Sequence, residues 1–210
     1  LRQINTSSKN DYNNLMCSGL YDFLTAKNLL LPHREVSLEN KFDLGAEIVI
    51  QPDFIPFISY PYEWSFSQLK DAALATLEIQ KIALDYNMSL KDASGFNIQF
   101  VKGLPKLIDT LSFEKYSKGS PWIAYKQFCQ HFLAPLALMS FSDIRTQQLL
   151  RIYIDGIPLD LASKLLPKKT YFNPGLIAHI HMHALMQSRY AKDFSFEKNK
   201  TKSISKDQLK

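Results

Sequence analysis

The sequence predicts an α+β fold in which a partial small lobe containing β-strands leads into a mostly helical large lobe. Three stretches carry that expectation. "SFSQLKDAALATLEIQKIALDYN" sets Ser65 and Gln68 at capping-box spacing, ahead of turns rich in Ala, Leu, Glu and Lys. "FNIQFV" and "PKLIDT" flank Lys102-Gly103, a hairpin signal. From Pro121 onward, apolar residues recur at helical spacing.

Each element follows in order. "LRQIN" has the composition of a strand end. "SSKNDYNNLMCSGLYDFLTAKNLLLPH" predicts a helix capped near Ser8 or Asn10, with Leu15, Met16, Leu20, Phe23 and Leu24 on one face and Pro32 closing it. "AEIVIQPDFIPFISYPYE" predicts two short strands around a turn at Gln51-Pro52-Asp53. In the capped helix, Leu69, Ala72, Ala73, Leu77, Ile79, Ile82, Ala83 and Leu84 cover over half the surface, which predicts burial on several sides. After the hairpin come "PWIAYKQFCQHFLAPLALMSF", kinked at Pro135, then "SDIRTQQLLRIYI", "PLDLASKLLP" and "NPGLIAHIHMHALMQSRYAKDF". The closing "SFEKNKTKSISKDQLK" has no apolar face. The expected organisation is 1–62 for the partial small lobe (strands plus one helix), 63–197 for the helical large lobe with its hairpin, and 198–210 for a linker.

Composition narrows the function classes. The 210 residues are 46% hydrophobic and 21% charged, which is ordinary for a globular chain long enough to bury a core. The net charge of +5 is concentrated at the end: from Ala191 onward six Lys face Asp193, Glu197 and Asp207, leaving the body nearly neutral. With no basic stripe interleaved with aromatics, nucleic acid is not an expected partner. No apolar run reaches membrane-spanning length, so no membrane is expected either. Cys17 and Cys129 lie far apart in apolar or helical contexts, which points to a reducing, cytoplasmic setting. The chain opens at Leu1 without an initiator Met and is expected to be part of something longer.

The chemistry centres on "SLKDASGFNIQFVKGLPKLIDTLSFE". Asp92 lies on a loop after the long helix, Asn97 follows five positions later, and Asp109 ends the second hairpin strand. Phosphoryl transfer needs a carboxylate to orient the acceptor hydroxyl and hard oxygen donors for magnesium. In that reading Asp92 is the catalytic residue, and Asn97 and Asp109 are the metal ligands. The same residues are also ordinary turn formers.

This segment resembles the catalytic loop and metal-binding hairpin of the aminoglycoside-phosphotransferase-like branch of the kinase superfamily. The resemblance implies a kinase-like fold, with Mg2+ and ATP as cofactors and a small-molecule or sugar acceptor. It makes Arg2 the stand-in for a phosphate-contacting lysine and Glu63, in the hinge-like "SYPYEWSF", a cofactor-side residue. The chain departs from the family at Leu90, where a His is usual, and at Asp109-Thr110-Leu111, which has neither the usual aromatic nor the glycine. These departures favour a degenerate, pseudokinase-like module over an active phosphotransferase, which stands as the alternative. Over most of its length, including "IDTLSFE", "YKQFCQHFLAPLALM" and "IDGIPLDLASKLLP", the chain also resembles the N-terminal region of bacterial nodulation-related, class I SAM-dependent methyltransferase-like proteins. That resemblance implies a methyltransferase domain downstream as partner, with SAM bound only there. The chain itself has seven glycines and no Gly-rich strand-to-helix turn.

Other groups in the sequence admit more than one role. His179, His181 and His183 would share a face on a strand and could bind zinc; on a helix His179 and His183 align while His181 points away. "SYPYEWSF" suits either a pocket wall or core packing. Trp122 and Tyr125 suit helix anchors, and Cys129 with His131, two apart on a helix, does not make a nucleophile pair.

Overall fold

The computed structural model describes residues 1–37, 39 and 45–186. The expected linker at 198–210, and the end of the large-lobe span beyond 186, lie outside the described residues. The fold is mixed α+β, as the sequence predicts, and its strands form three small sheets.

Strand β1 (Arg2–Asn5) runs directly into helix α1 (Thr6–Cys17). The predicted single helix is two, because Gly19 adopts a left-handed φ of 83° that an α-helix cannot contain; α2 (Leu20–Ala26) restarts beyond it. Two further strands, β2 (His33–Val36) and β3 (Ala46–Pro52), complete an antiparallel sheet in the order β1-β3-β2. The predicted strand after Pro52 does not form. Ser59 there finds a partner in a side chain: the Ser59 N–H donates to Gln99 Oε1, and Gln99 Nε2 donates back to the Ser59 carbonyl.

Helix α3 (Phe66–Asp85) starts at the predicted box, with Ser65 Oγ accepting from Gln68 N and Gln68 Oε1 accepting from Ser65 N. Leu69, Ala72, Ile79 and Ala83 are buried, but Leu77 and Leu84 are exposed, so one side of the helix faces outward. A buried amide ties its end to the next strand: Gln80 Oε1 accepts from the Leu90 N–H at 2.7 Å. Strand β4 (Met88–Leu90) pairs antiparallel with β7 (Phe113–Lys115), and between them lies the hairpin β5 (Ile98–Val101) and β6 (Leu104–Leu107). Lys102 and Gly103, with φ of 53° and 80°, form its turn, as the sequence indicates.

The remainder is helical among the described residues. Short helix α4 (Tyr125–Phe128) passes through a wide π turn at Cys129–Leu133 into α5 (Ala134–Phe141). Pro135 has no N–H for the His131 carbonyl, and the chain accommodates it by widening into the π turn. Then follow α6 (Leu149–Ile152), α7 (Leu159–Leu165) and α8 (Pro174–Leu176), with a second π turn at Ile177–His181. The main core joins α3, the hairpin and these helices through residues such as Leu24, Leu69, Ile98, Phe113 and Phe132. A smaller cluster of Ile4, Tyr12 and Ile50 lies between α1 and the sheet.

Candidate functional site

The β4–β7 pairing brings the loop carrying Asp92 beside the turn carrying Asp109, since the Lys91 N–H donates to the Ser112 carbonyl at 2.8 Å. Asp109 caps that turn. Its Oδ1 accepts from Arg2 Nη1 at 2.7 Å and from the Leu111 N–H at 3.3 Å, while Oδ2 accepts from Ser112 Oγ at 2.8 Å. The same Ser112 hydroxyl accepts a long bond, 3.4 Å, from Asn97 Nδ2. Arg2, Asp109, Ser112 and Asn97 therefore form one hydrogen-bonded chain across β1, the turn and the hairpin.

Asp92 is not a link in that chain. Its Oδ1 accepts from Ser94 N and from Gln127 Nε2, both at 2.9 Å, and Gln127 Oε1 accepts from Ala93 N at 2.7 Å. The loop is thus fixed to α4, and among the described residues Oδ2 of Asp92 takes no donor. Next to it, Lys91 Nζ reaches Asp11 Oδ2 on α1 at 2.7 Å. Glu63 is used locally: its Oε2 accepts from Tyr60 N and closes a 3-10 turn at Pro61–Glu63.

Sequence reasoning missed the groups that support these residues. Ser112, three residues after Asp109, had the spacing of an Asp-capped turn, which was a usable signal. Gln127 and Asp11 gave none. His33 gave none either, although it lies between Tyr12 and Tyr21, with Nε2 3.0 Å from Tyr12 Oη and Nδ1 3.4 Å from Thr110 Oγ1. Tyr12 Oη also meets Glu35 at 2.9 Å. Burial pushes the Tyr12 pKa up, helped by Glu35, and pushes the His33 pKa down against the pull of the same carboxylate.

A cleft of about 570 Å³ opens beside the Arg2 end of the chain of contacts. Arg2 and Arg34 line it with Leu31, Ile55, Ile58 and Ile108. Ile108 directly precedes Asp109, so the cleft and the polar chain are adjacent parts of one region.

The histidine triplet follows its helical alternative. His179 and His183 both lie against Tyr125, with ring centroids 5.9 and 5.4 Å away. His181 is buried the other way, between Ser163 Oγ at 2.8 Å and Thr170 Oγ1 at 3.0 Å, and stacked on Tyr171. Among the described residues no three His, Cys, Asp or Glu side chains group as a metal site. Cys129 is a buried thiol whose pKa burial raises, despite a hydrogen bond from Tyr125. His131 is buried too, with Nδ1 unpartnered; desolvation lowers its pKa to about 4 against the pull of Asp92 and Asp155. Among the described residues no helix is long and apolar enough to cross a membrane.

No protein-family model matches the chain. Over 154 residues, 73% of its length, the chain is 40% identical to the nodulation protein NoeA of Rhizobium meliloti (strain 1021). The match takes in 32% of that protein, so the chain spans about a third of its relative. By sequence, then, the chain has a nodulation-related relative.

Proposed function

We propose that this chain is a kinase-like module within a larger nodulation-related protein of the methyltransferase-like type, and that it binds substrate or holds its neighbours in place without transferring phosphate. The kinase-like reading is supported by the order of parts: a long helix, a short strand, the Asp92 loop, the hairpin, Asp109, and a strand that pairs back on the first. The non-catalytic reading is carried by one observation, the 2.7 Å ion pair of Arg2 with Asp109.

Magnesium bound between Asn97 and Asp109 would require anionic oxygen, yet Asp109 already has a guanidinium on one oxygen and a hydroxyl donor on the other. The donor set as placed therefore does not fit the metal well. Asp92, the acceptor-facing carboxylate of the active alternative, uses Oδ1 to anchor its loop to Gln127. The neighbouring methyltransferase domain, with its SAM, is the proposed partner, and a small molecule or sugar the proposed substrate.

Thermal unfolding of the full-length protein tests this reading. A ligand that binds the folded state raises Tm by mass action, by about 2.7 kcal/mol of stability at a hundred times its Kd. Millimolar MgATP is expected to leave Tm unchanged. A magnesium-dependent rise that Asp109→Asn removes, together with phosphate transfer that Asp92→Asn abolishes, would establish the phosphotransferase instead.

A further inference from the structure

We infer that the cleft beside Arg2 takes a small molecule with an apolar body and one anionic group, and takes it without a divalent cation. This deepens the substrate-binding reading and rests on it. The cleft volume of about 570 Å³ falls within the roughly 300–1,000 Å³ of small-molecule sites, and the cleft is open on one side, where Phe54 is 88% and Ile58 47% exposed. Its apolar wall is continuous in kind: Leu31, Ile55, Ile58 and Ile108 offer methyl and methylene surface and no polar side-chain atoms.

The polar part of the lining is cationic. Two guanidinium groups, Arg2 and Arg34, face one carboxylate, Asp53, among the described lining residues. Arg2 spends only Nη1 on Asp109. Arg34 makes no ion pair among the described residues; Nε and Nη2 both donate to Gln51 Oε1, at 3.2 and 2.9 Å. Gln51 is neutral, so it orients that guanidinium without cancelling its charge. A guanidinium held this way is prepared for a carboxylate, sulfonate or phosphate monoester, for which it is the preferred side chain. The positive charge that a metal would bring is supplied by Arg34, whose guanidinium has no ion pair among the described residues, and no cation is required.

The probe is anilinonaphthalenesulfonate, an aromatic body with one sulfonate, titrated by fluorescence into the full-length protein in EDTA. Its neutral counterpart, phenylnaphthylamine, has the same body without the anion. The expected result is saturable binding of the sulfonate in EDTA, weakened about tenfold by Arg34→Gln, in keeping with a hydrogen bond to a charged group. The neutral dye should bind more weakly and ignore Arg34→Gln, and Ile58→Glu should reduce both. Arg34 is exposed on edge strand β2, and circular dichroism verifies that its variant keeps the fold. Equal sulfonate affinity in wild type and Arg34→Gln overturns the proposal. So does sulfonate binding lost on Ile152→Ser, which would move it to the apolar groove beside Ile152 and Leu165. The two readings fail separately: a magnesium-dependent Tm rise with ATP defeats the non-catalytic function, whereas dye binding that ignores Arg34 defeats only the ligand class.

Discussion

His131 is buried with an unpartnered Nδ1, and desolvation holds its pKa near 4 although Asp92 and Asp155 pull it up. In the unfolded chain the same imidazole titrates near 6.5, so between those values the unfolded state binds more protons. The stabilisation from keeping this ring neutral is therefore complete above about pH 6.5 and is lost as pH falls toward 4. Its full size is on the order of 3 kcal/mol. Chemical denaturation at pH 8 and pH 5 should show a smaller loss of stability for His131→Leu than for wild type, whatever the variant costs at pH 8. An identical loss in both would mean that the ring titrates in the fold as it does in the unfolded chain. The Arg2–Asp109 pair is only partly buried, with side chains 38% and 23% exposed. A double-mutant cycle of Arg2→Gln and Asp109→Asn should therefore give a coupling of about 0.5–1 kcal/mol, shrinking in salt. The absence of coupling would detach Arg2 from the site.

Two turns decide how elements meet, and they respond in opposite directions. Lys102 occupies a left-handed φ of 53° in the hairpin turn, where Asn is better suited, so Lys102→Asn should raise stability by a few tenths of a kcal/mol. Gly156, at φ 93°, presses on the first π turn: a Cβ there would lie 2.6 Å from Gln130 Cβ and 3.0 Å from the Gln130 backbone carbon. Gly156→Ala should cost more than about 2 kcal/mol, read as a lower denaturation midpoint with an unchanged slope. The same contrast separates what could be read from sequence from what could not. Helix α3 and the hairpin were legible because their signals are local: a cap three residues from its partner, and two turn residues between strands. The break at Gly19 was hidden by helical spacing that continues on both sides. Strand β2, "HREV", has neither alternation nor apolar weight and exists because β3 pairs with it. At the site, the Asp109–Asn97 neighbourhood followed from the hairpin. The bond of Asp109 to Arg2 spans 107 residues and left no local signal; the sequence offered Arg2 only as a phosphate contact.

Over the whole molecule, the first fifty residues are joined to the hairpin region by several independent ties. Leu31 N donates to the Leu107 carbonyl and Leu107 N to the Leu29 carbonyl, each at 2.8 Å, which extends the hairpin by a short parallel bridge. Lys91–Asp11, Arg2–Asp109 and the His33–Thr110 contact cross the same boundary. Trp64 and Trp122 are both built into this body, through Ser59 Oγ and the Leu90 carbonyl. Tryptophan fluorescence and far-UV circular dichroism should therefore report one coincident unfolding transition. Two separated transitions would show that the sheet and the helical part fold independently.

Those ties also set the clock of the cleft. Arg2 and Ile108 stand on a strand and a turn tied to one another through Asp109, so a motion that parted them would have to break that ion pair. What can move at its mouth is Phe54, 88% exposed and free of a β-partner, whose rotamers turn over in picoseconds to nanoseconds. For the molecule proposed to bind here, a turn of Phe54 at the mouth is a faster event than the loss of the contacts that would hold it.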